Sequence, residues 1–181
     1  QDGSGYGVYA QRYAENGAAV GGAFRVNTTT ARSQTQAAIA GLADGGFVVT
    51  WMSFNQDGDG YGIYAQRYDA SGASIGGEFL VNTATTGSQY IPVIAGLADG
   101  GFVVTWQSRD GDGLGVYAQR YDAGGAAQGG EFRVNTETAN DQAQTAIAAL
   151  DDGGFVITWI SDLQDGSGYG VYAQRYAENG A

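Results

Sequence analysis

IPVIAGLADGGFVVTW, at residues 91–106, holds two apolar runs of strand length on either side of Asp99 and Gly100. An Asp-Gly pair between two such runs is the strongest short signal for an antiparallel hairpin. A glycine-rich turn then leads into LGVYAQRY at residues 114–121, and a second turn leads into EFRVN at residues 131–135. The stretch therefore predicts a meander of four antiparallel strands.

A unit of this kind recurs along the chain about every 54 residues, and residues 1–18 return letter for letter at 164–181. Such a short unit cannot bury a core alone, so neighbouring units must stack on one another. The first tyrosine of each YAQRY motif marks the repeat, and the middle interval is two positions shorter than the other two: Tyr9, Tyr64, Tyr117 and Tyr172.

The repeat predicts the limits of strands and blades. We expect strands near 36–42, 47–53, 61–69 and 78–82, each returning at an offset of +53 to +55 in the numbering. The blades are then a partial one at 1–28 (third and fourth strands), complete ones at 37–83 and 91–136, and a partial one at 145–181 (first to third strands). The predicted fold class is all-β, with four-stranded antiparallel blades in tandem as a β-propeller-like or stacked-blade repeat array.

Side-chain alternation predicts where each strand lies within a blade. FVVTW is apolar on both faces and is expected between layers, whereas EFRVN should turn Glu131, Arg133 and Asn135 towards solvent as an outer strand. The first strand carries small residues such as Ala95 and Gly96, which suit an axis where strands converge. Recurring aromatic residues are expected to pack between blades: Phe47, Phe102, Phe155, Trp51, Trp106 and Trp159.

The composition excludes several classes of function. The net charge is −11 and the chain has no lysine, so its acidic field repels phosphate backbones and nucleic acid is not an expected partner. No apolar run is long enough for membrane insertion. Histidine and cysteine are also missing, which removes the commonest general base and the thiolate nucleophile. The carboxylates recur at turn positions in every unit, so we expect no enzymatic activity.

The turn QDGDGYG at residues 56–62 is the candidate metal site. Asp57 and Asp59, and likewise Asp110 and Asp112 in the next copy, place two carboxylates one residue apart in a glycine-rich loop, which suits a hard cation such as calcium. A solvated hairpin turn is the other interpretation. The loop is not of the EF-hand type, because tyrosines stand where that loop needs oxygen ligands.

The text DGGFVVTW, QDGDGYGIYAQRYDASG and GGEFLVNT resembles the tandem repeats of very long secreted bacterial proteins, grouped with the hemolysin-type calcium-binding or RTX-like adhesins. The likeness covers the whole chain. It implies an extracellular or cell-surface, cysteine-free protein that is often associated with calcium. The glycine-aspartate nonapeptide of RTX β-rolls is absent, so the resemblance supplies no ligand residue.

Three functions compete at this stage. The leading expectation is a non-catalytic structural repeat module of an extracellular adhesin, sheath or fibre. A glycan- or peptide-binding propeller is the alternative, and it requires an aromatic-lined pocket at the loop 82–90 or its counterparts. A carbohydrate-active enzyme is the second alternative, and it requires a pair of buried carboxylates facing one cleft.

The expected partners follow from the incomplete outer blades. Unpaired strand edges recruit other chains, so we expect the outer blades to be completed by neighbouring blades of a longer array or by identical subunits, head to tail. Surface glycans are the other expected partner.

Overall fold

The computed structural model describes residues 4–109 and 111–180, and within them it contains thirteen β-strands and no helix. The strands form four antiparallel sheets in which each strand pairs with its neighbour in sequence. The first sheet consists of β1 (Tyr9–Tyr13) and β2 (Ala19–Arg25). The second consists of β3 (Gln34–Gly41), β4 (Phe47–Phe54), β5 (Tyr61–Tyr68) and β6 (Ser74–Leu80).

The third sheet repeats the second with β7 (Gln89–Gly96), β8 (Phe102–Arg109), β9 (Leu114–Tyr121) and β10 (Ala127–Arg133). The fourth consists of β11 (Gln142–Ala149), β12 (Phe155–Asp162) and β13 (Tyr169–Tyr176). The all-β stacked-blade fold is confirmed. No helix in the described part is long and apolar enough to cross a bilayer.

Apolar clusters fill the three junctions between successive sheets, which we number in chain order. At the first junction Trp51 packs with Val8 and Val26 of the first sheet, while Val48 on the opposite face of β4 packs into the second junction. The middle strand of the blade is therefore buried on both faces, as predicted. The recurring tryptophans lie in these clusters, as Trp106 does at the second junction and Trp159 at the third.

A second aromatic group ties the sheets together. Tyr68 stacks on Phe47 of its own sheet, with ring centroids 4.8 Å apart, and tilts against Phe24 of the preceding sheet at 5.4 Å. The same arrangement returns one junction later in Tyr121, Phe102 and Phe79. Offset and tilted ring pairs of this kind contribute about 0.5–1.5 kcal/mol beyond their buried area.

The first strands of the blades converge, as their small residues predicted. A Cβ atom added to Gly96 would lie 2.2 Å from the carbonyl oxygen of Gly41 in the neighbouring sheet. No side chain fits at that distance, so close approach of β3 and β7 requires glycine at this position.

The predicted bounds of the fourth strand were wrong. We expected it to begin at residue 78, but β6 begins at Ser74 because the turn before it is short. Asp69 closes that turn: its backbone N–H donates to the carbonyl of Ala73, and its Oδ1 accepts from the N–H of Ala73. The following glycines belong to the strand, where the register shifts and the Gln66 side chain donates to the carbonyl of Ile75.

The predicted solvent exposure of Asn135 was also wrong, since only 2% of this residue is exposed. Its counterpart Asn82 shows why. Asn82 Oδ1 accepts from the N–H of Ile63 at 2.7 Å, and its Nδ2 donates to the carbonyl of Ala84 and to Gln89 Oε1. The buried amide thus fixes the turn at residues 83–88, which joins β6 to β7 and crosses the second junction.

The outer face of the last sheet is exposed. Val171 is 78% exposed, whereas Val116, at the same place in the third sheet, is fully buried by the following sheet. The face around Val171 therefore has the composition of a junction face. Its completion by a further blade or an identical subunit stays a prediction.

Candidate functional site

A cleft of about 380 Å³ opens at the second junction. One wall is the turn fixed by Asn82, and the others are side chains of β8, β9 and β10. The described lining residues are Ala84, Thr86, Gly87, Gln89, Trp106, Ser108, Arg109, Tyr117 and Glu131. The cleft therefore combines two aromatic rings with an arginine, a carboxylate and several neutral polar groups.

The strands place these groups side by side. Trp106 of β8 lies opposite Tyr117 of β9 in the antiparallel register, so both rings belong to one stretch of the wall. Trp106 is only 1% exposed and is mainly a core residue that borders the cleft.

Glu131 of β10 lies at the side of the cleft that the turn forms, and it is hydrogen-bonded to this turn. Its Oε2 accepts from the backbone N–H groups of Thr83 at 2.5 Å and Ala84 at 3.3 Å. Its Oε1 accepts a hydrogen bond from none of the described residues. Glu131 thus anchors the turn with one oxygen and leaves the other available as an acceptor.

Glu78 at the first junction corresponds to Glu131, but it is fully engaged. Glu78 accepts from the N–H of Thr28, from the N–H and hydroxyl of Thr29, and from Nε2 of Gln56, which lies 2.7 Å from Glu78 Oε1. The Gln56 amide therefore donates to Glu78 Oε1, whereas Glu131 Oε1 at the second junction has no described donor.

Two differences underlie the contrast: Ala84 stands where the first copy has Thr29, whose hydroxyl donates to Glu78, and one loop is shorter. Thirteen positions separate Trp51 from Tyr64, but only eleven separate Trp106 from Tyr117. The shorter loop has no counterpart of Gln56. It also places Arg109 where the first copy has Phe54, whose ring packs on Tyr61 with centroids 4.9 Å apart.

Two carboxylates influence the tyrosine of the first junction. Burial raises the pKa of Tyr64 to about 12, with further contributions from the negative charges of Asp57 and Glu78. Burial alone would raise the pKa of Glu78, but the hydrogen bonds from Thr28, Thr29 and Gln56 together lower it. The Glu78 carboxylate is therefore held in its ionised form.

The predicted calcium ligands Asp57 and Asp59 have different surroundings. Asp59 Oδ2 accepts from the N–H of Gly87 at 2.9 Å, while the carboxylate of Asp57 lies over Gly62, where a Cβ would be 2.5 Å from Asp57 Oδ2. Both carboxylate oxygens of Asp57 and Oε1 of Gln56 are buried without a described partner. Three adjacent oxygen acceptors of this kind fit a hard cation better than the pair of Asp57 and Asp59.

The second predicted pair gives less support for a metal site. Asp112 is exposed, and Asp110 lies outside the described residues. No cluster of three or more histidine, cysteine, aspartate or glutamate side chains that could hold a metal ion occurs in the described part of the chain. Calcium stays a prediction, and Asp57 with Gln56 would be its ligands.

Sequence reasoning missed Glu131, Gln56 and the cleft itself. The signal was present in the uneven spacing of the YAQRY motifs, because the short middle interval marks the shorter loop. The loop 82–90 was correctly singled out as the place where a pocket would favour binding. The aromatic residues of that pocket, however, come from β8 and β9 rather than from the loop.

No protein-family model matches the chain, and no curated protein matches it. Among solved structures it is similar to an endo-arabinase from Bacteroides thetaiotaomicron VPI-5482, with 14% identity, a TM-score of 0.51, and coverage of 81% of this chain and 57% of that one. It is also similar to a protein of unknown function from Dyadobacter fermentans DSM 18053, with 11% identity, a TM-score of 0.57, and coverage of 81% and 52%. The chain thus spans between 52% and 57% of the length of these structures.

These comparisons overturn the leading expectation of a non-catalytic structural module of an adhesin, sheath or fibre. A glycosidase is among the structures of similar fold. At 14% identity the likeness itself shows the fold alone. The expectation rested on the redundancy and even acidity of the repeats and on the missing histidine, cysteine and lysine, features that do not specify how a repeat fold is used.

Proposed function

We propose that this chain is a glycan-binding module whose binding site is the cleft at the second junction. The observation that carries the proposal is the presence of the Tyr117 ring and of a Glu131 oxygen without a described donor in one cleft. Ligand sites are typically concave and largely apolar, with a few polar groups that orient the ligand.

The chemistry of the cleft suits a sugar. A pyranose ring has an apolar C–H face that packs on an aromatic ring, and its rim carries hydrogen-bond donors and acceptors. Tyr117 offers the ring, Glu131 accepts, and Arg109 can donate. The fold shared with an endo-arabinase supports a carbohydrate ligand without identifying one.

Binding without hydrolysis is the form of this function that the described residues favour. Glycosidases generally use a pair of carboxylates flanking the scissile bond. Among the described residues that line the cleft, Glu131 is the only carboxylate. The described lining of the cleft thus supplies one of the two groups that hydrolysis would require.

Screening against a glycan array, followed by calorimetric titration of the best ligand, tests the proposal. Tyr117→Ala should weaken binding about tenfold or more, which is typical of an aromatic residue central to an interface. Tyr64→Ala, the matched change at the first junction, should leave affinity unchanged. Failure of every glycan to bind would overturn the proposal, as would binding of peptides only. Release of reducing sugar from the ligand would show an enzyme instead.

Extracellular or cell-surface location, which the resemblance to secreted repeats implied, stays a prediction. A glycan-binding role would be compatible with it, because polysaccharides are abundant outside cells. Detection of the native protein in culture medium or on intact cells would test the location independently of the ligand.

A further inference from the structure

We infer that the cleft selects sugars with an N-acetylamino group, whose amide N–H donates to Oε1 of Glu131. This inference rests on the proposed glycan-binding function and adds the class of sugar. It is drawn from the first junction, where a side chain of the protein itself occupies the corresponding position.

The Gln56 side chain acts as that occupant. Its amide N–H donates to Glu78 Oε1 at 2.7 Å, and its own carbonyl oxygen is buried. Glu78 corresponds to Glu131, because both are the glutamate of the GGEF motif and both hold the turn from the preceding sheet. Glu78 Oε1 also accepts from the Thr29 hydroxyl, which Ala84 lacks at the second junction. The site beside this glutamate thus accommodates an amide group when one is available.

The second junction lacks this amide because its loop is two residues shorter. A ligand that enters the cleft meets a carboxylate oxygen without a described donor. Covering this acceptor costs binding free energy unless the ligand donates a hydrogen bond to it. An acetamido group restores the missing N–H. Its carbonyl and methyl groups then take the volume that the rest of the glutamine amide occupies at the first junction.

The charge of the site restricts the ligand further. Glu131 repels the carboxylate of an acidic sugar at close range, and the net charge of −11 adds a long-range repulsion. Arg109 in the same cleft offsets part of this repulsion, so selection rests on the amide donor, which N-acetylated sugars supply. The sugar ring would then rest against Tyr117, which lines the same cleft.

Calorimetric titration with two matched tetrasaccharides tests the inference: one of β-1,4-linked N-acetylglucosamine and one of β-1,4-linked glucose. The N-acetylated probe should bind at least tenfold more tightly to the unmodified chain. This comparison requires no variant, so it does not depend on the folding of a mutant. Equal affinity for the two probes, or tighter binding of the glucose probe, would overturn the inference while leaving the proposed function intact.

Glu131→Gln provides the second measurement. The amide oxygen must still accept from Thr83 and Ala84, so the amide NH₂ faces the cleft as a donor and opposes the N–H of the ligand. The variant should lose the preference for the N-acetylated probe and keep its affinity for the glucose probe within about threefold. Glu78→Gln disturbs the equivalent turn outside the cleft and should leave the preference unchanged. A preference retained in Glu131→Gln would contradict the role of Glu131, and absence of binding by any glycan would instead refute the proposed function.

Discussion

The first and second junctions are built from similar residues, yet among the described residues only Glu131, at the second, has a carboxylate oxygen without a donor. At both, a tryptophan of the second strand packs on the preceding sheet, and a glutamate of the fourth strand holds the turn from that sheet. At the first, Gln56 donates to the glutamate; at the second, the shorter loop leaves that place to a cleft. A difference of two residues in one loop therefore distinguishes the two junctions, while the surrounding strands are alike.

The cores of the two junctions should respond alike to truncation. Trp51 and Trp106 are 0% and 1% exposed, so replacing either by alanine should lower the free energy of unfolding by about 3–5 kcal/mol. Urea denaturation of the two variants measures this directly. A difference between them larger than about 2 kcal/mol, the width of the range expected for such truncations, would break the equivalence. It would mean that the cleft had already loosened the packing around Trp106.

Transferring the longer loop of the first junction to the second should block the cleft. Replacing residues 109–113 (RDGDG) by FNQDGDG from 54–60 supplies the missing glutamine beside Glu131. Affinity for the glycan ligand should fall about a hundredfold or more, equivalent to about 2.7 kcal/mol. The reverse transfer should open the first junction and raise the number of binding sites from one to two, as counted by titration. Unchanged affinity after the first transfer would show that the cleft is not the binding site.

The glutamate of the first junction should also make stability depend on pH. The pKa of folded Glu78 lies below its ordinary value of 4.5. The stabilisation is therefore fully present above pH 4.5 and is lost as the pH falls through the lowered folded value. Glu78→Gln should flatten the dependence of unfolding free energy on pH in this acid range. The effect should stay below about 1 kcal/mol, because solvent screens a carboxylate that is only partly buried.

Thermal melts across the acid range would measure this contribution, with Glu131→Gln as the matched variant. A profile of Glu78→Gln as steep as that of the unmodified chain would assign the acid sensitivity to other carboxylates. A similar flattening in both variants would instead remove this distinction between the two junctions.

The strands and hairpins of the blade could be predicted from the sequence, because the signals that specify them are local. The Asp-Gly turns, the apolar faces of FVVTW and the small residues of the first strand each specify one strand or hairpin. The role of Asn135 was not readable, because an asparagine in EFRVN alternates like a surface residue and finds its buried partners only across the junction. The cleft was missed for the same reason: its aromatic walls and its glutamate come from separate strands, and only the loop length marks where they remain uncovered.

Calcium should stabilise the chain only at the first junction. Asp57 and Gln56 supply three buried oxygen acceptors without described partners, whereas the shorter loop of the second junction has no equivalent of Gln56. Extracellular calcium modules bind with dissociation constants of about 10⁻⁴–10⁻³ M, so calcium at about 5 mM should stabilise the chain by roughly 1–2 kcal/mol. For a domain of this size, that corresponds to a rise in melting temperature of about 2–8 °C.

Asp57→Asn should abolish the rise, and Asp59→Asn should leave most of it, because Asp59 already accepts from Gly87. Equal loss in both variants would restore the pair predicted from the sequence, and no calcium-dependent shift in the unmodified chain would leave the buried oxygens of Asp57 to another partner.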